Sequence, residues 1–446
     1  MFIHRQKELN ILKKGGNTLI YGKRRVGKTS LIKEHLKNIK TPYFYYECIK
    51  ANLNENMEYM LNEIMRCDII KYDISFKNLY DLFSFINSQY EKIVIVIDEY
   101  PYLKEIEESK YVDSLFQKII DQCKNIDFII SGSHIGMMQE LLQEGNSLYG
   151  RFNSIINVEE FDYLEASYYY KELKEYDKIA FYSVFGGSPY INEYIDGKLS
   201  LKENIIKLFL DEKSNVYNYA ASLLISDASS KVNAKSILAK LSNSKLKYKE
   251  LEEKLDTEKN GKLAKQLKVL LDLKIIRKVF PINKLNDTKK SYYEINDNIL
   301  RFYFTYIYKN KSALQILGPN AFYDEYIDKS LLTYISHRFE EQVRMYFSLQ
   351  AKTGKLSGVK NIGTLYYDDS KNKTNGEFDV VLERESGYKI YEVKYMINKL
   401  DASSVNKEIK QVLNIEGLKI EQIGFVNPGG FEEQKEDIDY IDSIYN

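Results

Sequence analysis

Gly22-Lys23-Arg24-Arg25-Val26-Gly27-Lys28-Thr29, with Ser30 behind it, follows the apolar run Thr18-Leu19-Ile20-Tyr21 and opens a helical stretch that reaches His35. A glycine-rich turn between a buried strand and a helix lets successive backbone N–H groups face phosphate oxygens. Gly22 and Gly27 accept backbone angles that bulkier residues avoid. In that setting Lys28 reaches the β and γ phosphates of ATP, the Thr29 hydroxyl binds Mg2+, and Lys23, Arg24, Arg25, Val26 and Ser30 complete the cradle. A second apolar run, Ile93-Val94-Ile95-Val96-Ile97, ends in Asp98-Glu99. Asp98 stands where a carboxylate holds the Mg2+ shell, and Glu99 is the candidate base that orients the attacking water. The expected cofactors are therefore ATP and Mg2+.

Working outward, Tyr43 to Tyr46 and Phe128 to Ile130 add strands to those at Thr18–Tyr21 and Ile93–Ile97. Each is followed by helical patterning, which predicts an α/β fold whose parallel sheet carries its ligand at the strands' carboxyl ends. From about Leu164 to Ser226 the pattern is mostly helical, broken by Gly186-Gly187-Ser188-Pro189, and reads as a helical lid. Residues 231–280 hold thirteen Lys and one Arg against six acidic residues. Within them Ala234–Leu241, Tyr248–Leu255 and Lys262–Leu273 read as helices. Ile275–Pro281 and Tyr292–Ile295 read as strands, giving the order of a winged helix-turn-helix. Lys262, Lys265 and Lys268 fall on or beside its third helix and are the expected phosphate contacts.

The chain has 446 residues, so about three domains are expected. The division read from the pattern is 1–163 for the ATPase domain, 164–228 for the lid, 229–315 for the winged helix and 316–446 for a small α/β domain. Apolar residues make up 44% and charged residues 29%, which is the composition of a folded protein. Cys48, Cys67 and Cys123 lack C-x-x-C spacing, and the four histidines are scattered, which excludes a disulfide framework or a zinc site. No apolar stretch is long enough to span a membrane, and Met1-Phe2-Ile3-His4-Arg5 does not open like a signal peptide, so a cytoplasmic protein with no membrane partner is expected. Net charge is zero, which confines any nucleic-acid binding to a local patch.

The last region contains Glu377-Phe378-Asp379 and Glu392-Val393-Lys394. A hairpin centred between Glu385 and Ser386 sets Asp379 opposite Glu392 and Glu377 opposite Lys394. Facing carboxylates are destabilising unless a positive group lies between them. A divalent cation held by Asp379 and Glu392 meets that need, with Lys394 orienting or deprotonating the nucleophilic water. The bland reading is a surface hairpin in which Glu377 and Lys394 merely pair.

Taken together, Phe2-Ile3-His4-Arg5 with Glu8, the phosphate loop, Ile97-Asp98-Glu99-Tyr100-Pro101-Tyr102-Leu103, Ser131-Gly132-Ser133 and Leu148-Tyr149-Gly150-Arg151 resemble the archaeal-type ATPase family of the AAA+ and STAND P-loop proteins. His4 stands where that family usually carries Gly. The resemblance implies that Ser131 or Ser133 senses the γ phosphate and that Arg151 acts in cis or on a neighbouring subunit or protein. Asp379, Glu392 and Lys394 resemble the signature of the PD-(D/E)XK nuclease superfamily, with Glu340 matching its extra helical metal ligand and Glu341 as the competing choice. Two functions follow as expectations. One is an ATPase coupled to binding of nucleic acid, duplex DNA by preference, and to its Mg2+-dependent cleavage. The other is a nucleotide-controlled DNA-binding or signalling switch that does not cut.

Overall fold

The computed structural model describes residues 4–71, 74–106, 109–222, 233–256, 261–285, 287–369, 374–415 and 417–446. Two compact units divide the chain, Met1–Glu160 and Phe161–Asn446.

In the first unit α1 (Gln6–Leu12), β1 (Thr18–Tyr21), α2 (Lys28–Lys37), β2 (Tyr43–Glu47), α3 (Leu53–Arg66) and α4 (Leu79–Gln89) lead to β3 (Ile93–Asp98). After it come α5 (Pro101–Ile106), α6 (Ser109–Gln122), β4 (Ile126–Gly132), α7 (Ile135–Glu140) and β5 (Ser154–Asn157). The strands form one parallel sheet in the order β2-β3-β4-β1-β5. β3 is a run of β-branched residues because both its faces are covered, and every one of its residues is buried. One face packs on α3, α4 and α6 through residues such as Met60, Phe83 and Phe116, and the other on α1 and α2 through Leu12, Leu31 and Ile32. The edge strand β5 is the one strand of this sheet that the apolar pattern does not announce. Only Ile156 of its four residues is buried.

The second unit opens with α8 (Tyr163–Ala166), α9 (Glu175–Phe185), α10 (Pro189–Asn192), α11 (Leu201–Ile205) and α12 (Asn215–Ser222), all helical as expected. Next come α13 (Ala234–Leu241), α14 (Tyr248–Lys254) and α15 (Lys262–Asp272), then the antiparallel pair β6 (Ile276–Val279) and β7 (Tyr292–Ile295), with an isolated bridge tying Leu246 to Tyr293 of β7. Lys231 and the expected boundary at 228–229 lie outside the described residues. The chain continues through α16 (Asn298–Phe302), α17 (Lys311–Phe322) and α18 (Asp328–Lys352). It ends in β8 (Val359–Asp369), β9 (Thr374–Arg384), β10 (Tyr388–Val393), α19 (Ala402–Leu413), β11 (Ile420–Val426) and β12 (Asp439–Ile441). The terminal sheet is mixed, in the order β12-β11-β10-β9-β8, with β8-β9-β10 antiparallel and β10-β11-β12 parallel.

One hydrophobic core runs through this unit from Phe161 to Ile444, taking in α9, α13, α15, α16, α18 and one face of the terminal sheet. The loop between β6 and β7 is part of the packing. Ile282 is buried in the core on the sheet's other face, and the Asn283 amide donates to the Tyr366 carbonyl at 2.7 Å while accepting from the Tyr366 N–H at 3.2 Å. The Lys290 ammonium lies 4.0 Å from the Tyr366 ring centroid. Because β8 is an edge strand, Asn283 satisfies backbone groups that otherwise invite pairing with another chain. A loop held in this way is a structural element of the unit.

Candidate nucleotide site and terminal carboxylate cluster

Period-two alternation brings Tyr45, Val96, Asp98, Ile129 and Ser131 to the sheet face covered by α2. Asp98 is buried, and its carboxylate is fully engaged. Oδ2 accepts from the Thr29 hydroxyl at 2.8 Å and from the Tyr45 hydroxyl at 2.7 Å, and Oδ1 accepts from the Ser131 hydroxyl and from the Glu99 N–H at 3.0 Å. Burial, followed by the charge of Asp98, raises the pKa of the Tyr45 phenol well above its ordinary value, so Tyr45 remains a donor.

The phosphate loop is built by close approach. A Cβ on Gly22 would lie 2.1 Å from the Val158 carbonyl oxygen, and Gly27, at φ 92°, supplies the left-handed turn into α2. The Lys28 ammonium donates to the carbonyls of Gly22 (3.0 Å) and Lys23 (2.9 Å) and to the Ser133 hydroxyl (3.0 Å). Burial lowers its pKa, and the charges of Glu99 and Asp98 oppose that shift. Glu99 has a left-handed backbone, φ 52°, and its carboxylate accepts from the Ser133 hydroxyl and, at 3.1 Å, from the Ser133 N–H. Lys28, Thr29, Asp98, Glu99 and Ser133 thus come together. Lys23 and Arg24 turn their side chains to Glu160 (3.5 Å) and to the Tyr102 hydroxyl (3.0 Å), Val26 is buried in the core, and Arg25 and Ser30 are exposed.

These residues fit a magnesium nucleotide. Thr29 and Asp98 present oxygens side by side, the close-set loop carries Lys28 over it, and Glu99 sits beside both. A bound Mg2+ and ATP would supply the electrophilic γ phosphorus and its charge neutralisation. The chain would contribute the cradle, the Lys28 ammonium and the Glu99 carboxylate.

Arg151 is elsewhere. Its guanidinium is bound two-pronged by Asp121 of α6 at 2.9 and 3.1 Å, and its carbonyl accepts from Asn17, just before β1. That is the amino end of the sheet, opposite the phosphate loop, so the fold does not bring Arg151 to the nucleotide site of its own chain. Two residues that motif reading passed over are Tyr45 and the buried Arg5. The latter donates to the Val26 carbonyl at 3.3 Å and to the Glu159 carbonyl, tying the loop to the end of β5. Tyr45 was legible from strand alternation against Asp98. Arg5 entered only within the stretch Phe2-Ile3-His4-Arg5 that carries the family resemblance. His4 is left-handed at φ 58°, which accounts for glycine at that position in the family the sequence resembles.

In the terminal sheet the register Tyr388↔Glu383 to Tyr391↔Val380 is the one expected, and one step further on each strand stand Glu392 and Asp379. The neighbours differ from the simple salt-bridge reading. Glu377 pairs with Lys245, at 2.7 Å, while the Lys394 ammonium donates to Glu392 at 2.6 Å and lies 3.5 Å from Glu408. Burial, then the like charge of Glu340, pushes the Asp379 carboxyl up to about 6 against the pull of Lys245 and Arg344. As a residue Asp379 remains solvent-exposed, which screens these interactions. Burial also raises the Glu392 pKa, opposed by Lys394, and the hydrogen bond to Glu340 raises that of His337. Glu341, the competing helical acid, is committed to Arg277, Arg301 and Arg338. Among the described residues, no group of three or more His, Cys, Asp or Glu side chains is gathered to hold a metal ion. Glu377, Glu392 and Glu341 are matched with cations while Asp379 faces Glu340, in place of a ready three-carboxylate shell, and no helix among the described residues is long and apolar enough to cross a membrane.

A family model described as an ATPase domain predominantly from Archaea matches residues 2–194, and another, of archaeal and bacterial proteins of unknown function, matches residues 303–409. An uncharacterized protein of Methanocaldococcus jannaschii is 27% identical over 375 residues, covering 80% of this chain and 79% of its own. Among solved structures, the Walker-type ATPase of Pyrococcus abyssi superposes with a TM-score of 0.52 at 18% identity, covering 68% of this chain and 96% of its own. At that identity the likeness is one of fold. The chain is therefore similar to archaeal ATPase-domain proteins over residues 2–194 and to the second family over residues 303–409.

Proposed function

We propose that this chain is an ATP-hydrolysing switch that binds duplex DNA through its second unit. The observation that carries the DNA part is α15. Leu263, Leu267 and Leu270 are buried on one side, while Lys262, Lys265 and Lys268 are exposed on the other. In a winged-helix reading of α13 to β7, α15 is the helix that meets the groove, and the wing stays on β8. Binding then rests on lysine contacts to phosphates, which makes affinity fall steeply with salt. The test is fluorescence anisotropy with duplex DNA, single-stranded DNA and RNA over a salt series, with and without Mg-ATP. Charge reversal at Lys262, Lys265 and Lys268 should weaken binding and flatten the salt slope by about three phosphate contacts. Unchanged affinity and slope would make this face a protein-docking surface.

A second reading, Mg2+-dependent phosphodiester cleavage at the terminal sheet, is favoured by the register that sets Asp379 beside Glu392 with Lys394 at hand. It requires a metal to draw Glu340, Asp379 and Glu392 together. Calorimetric titration with Mg2+ or Mn2+, alongside incubation with linear and circular DNA, separates it from the switch that does not cut.

A further inference from the structure

The strand that carries Asp98 is followed by a turn held from an unexpected direction. Lys104 of α5 and Asp113 of α6 form an ion pair of 2.7 Å with side chains only 1% and 4% exposed. Asp113 also accepts from the Tyr100 hydroxyl at 2.9 Å and from the Asn146 amide at 2.8 Å. A buried pair of this kind adds little net stability over an apolar pair of the same shape, but it permits few arrangements of the groups around it.

What it fixes is Tyr100, the residue after Glu99. The Tyr100 side chain is fully buried, with its ring edge-on to Phe116 at 5.0 Å, and its N–H donates to the Ser131 carbonyl at 2.9 Å. On the other side, Asp98 is held by Thr29, Tyr45 and Ser131. Between these anchors, Glu99 occupies a left-handed conformation at φ 52° that a non-glycine residue does not keep unless its surroundings impose it. That conformation turns its carboxylate onto Ser133, next to the Lys28 ammonium.

We infer that the Lys104–Asp113 pair, acting through Tyr100, is a clamp that positions Glu99 for hydrolysis. Asp113 and Lys104 are positioning residues in this account, which rests on the reading of Glu99 as the group that orients water. Because Asn146 begins the segment that carries Arg151, the same carboxylate also joins that segment to the turn after β3.

The test uses the full chain and measures steady-state ATP hydrolysis, affinity for a fluorescent ATP analogue and thermal melting. Tyr100→Phe removes one hydroxyl and keeps the ring. Asp113→Asn keeps the shape and removes the charge, and if it does not fold, Tyr100→Phe decides. The expected result is a kcat lower by about ten- to a hundredfold with nucleotide affinity unchanged. No further loss is expected when Tyr100→Phe is added to Glu99→Gln. Abolished hydrolysis in Glu99→Gln, combined with wild-type kcat in Tyr100→Phe and Asp113→Asn, overturns the clamp alone, whatever their melting temperatures. Wild-type hydrolysis by Glu99→Gln overturns the reading of Glu99 and the clamp with it.

Discussion

Both units set a carboxylate on a β-strand beside a helix, and they surround it in opposite ways. Asp98 on β3 is met by donors on both oxygens, from Thr29, Tyr45, Ser131 and the Glu99 backbone. Asp379 on β9 is met by the like charges of Glu340 and Glu377, with Lys245 and Arg344 only partly offsetting them. The first arrangement is fixed by the protein's own donors, so a cation bound there would meet oxygens already aimed. The second leaves Asp379 facing like charges while Glu377 and Glu392 are taken by Lys245 and Lys394, and a cation would have to rearrange it. A finished site and an unfinished one can thus use the same residue types.

The sharpest way to break this comparison is at the loop itself. Lys28→Ala removes the ammonium that bridges Gly22, Lys23 and Ser133, and nucleotide affinity should fall by at least about a hundredfold in a fluorescent-analogue titration. Wild-type affinity in that variant would mean the site is not the organised one. Next in size is Glu341, which anchors the second unit. Burial would raise its pKa, but Arg277, Arg338 and Arg344 hold it at about 2 against an ordinary 4.5. A depressed carboxylate stabilises the fold at every pH above its unfolded value, and that stability is lost as pH falls from about 4.5 toward 2. Glu341→Gln should cost roughly 3 kcal/mol at neutral pH, read by denaturant unfolding, with the gap closing in acid. A cost that persists undiminished at low pH would assign Glu341 a packing role alone.

Asp379→Asn should act with the opposite sign. Its folded pKa, about 6, lies above its ordinary 3.8, so ionising it destabilises the fold as pH rises through that window. Allowing for its solvent exposure, the variant should be about 1 kcal/mol more stable than wild type at pH 7 and equal to it below pH 4. A destabilised variant would show that Asp379 is satisfied after all and would erase the contrast with Asp98.

What the sequence disclosed follows the same divide. The phosphate loop and Asp98-Glu99 were legible because each sits at the end of an unbroken apolar run whose both faces are covered, so type, register and position are all set locally. The β9–β10 register was legible for a similar reason, since the short Glu385-Ser386-Gly387 turn leaves little choice. β8, β11 and β12 were not, because they alternate weakly and lack the continuous apolar run that marks β1 and β3. Nor was the place of Ile282 and Asn283 on β8, or of Lys245 beside Glu377, because such contacts depend on tertiary packing that no local pattern encodes. For Arg151 the resemblance left action in cis or on a neighbour open, and the fold sets it at the sheet's other end, where Asp121 holds it, which speaks against the first alternative.

The smallest expected effect tests how completely Asp98 is organised. Tyr45 shares the Oδ2 oxygen with Thr29, so its hydroxyl fixes the carboxylate's orientation without occupying the side turned to the loop. Phenylalanine keeps the ring between Lys33 and the α2 face of the sheet and removes only the donor. Because Thr29 still donates to the same oxygen, the loss is set at the strength of an ordinary hydrogen bond, about 1 kcal/mol, which corresponds to roughly a fivefold change in an equilibrium. Tyr45→Phe should therefore raise the Mg2+ concentration for half-maximal ATP hydrolysis by about fivefold, while kcat at saturating Mg2+ changes little. A purely structural tyrosine would shift the melting temperature and leave the Mg2+ dependence where it was. If Tyr45→Phe lowers kcat at saturating Mg2+ and not the Mg2+ requirement, the hydroxyl acts on the turn at Glu99, and the organisation of this site extends past the metal-binding oxygens to the base.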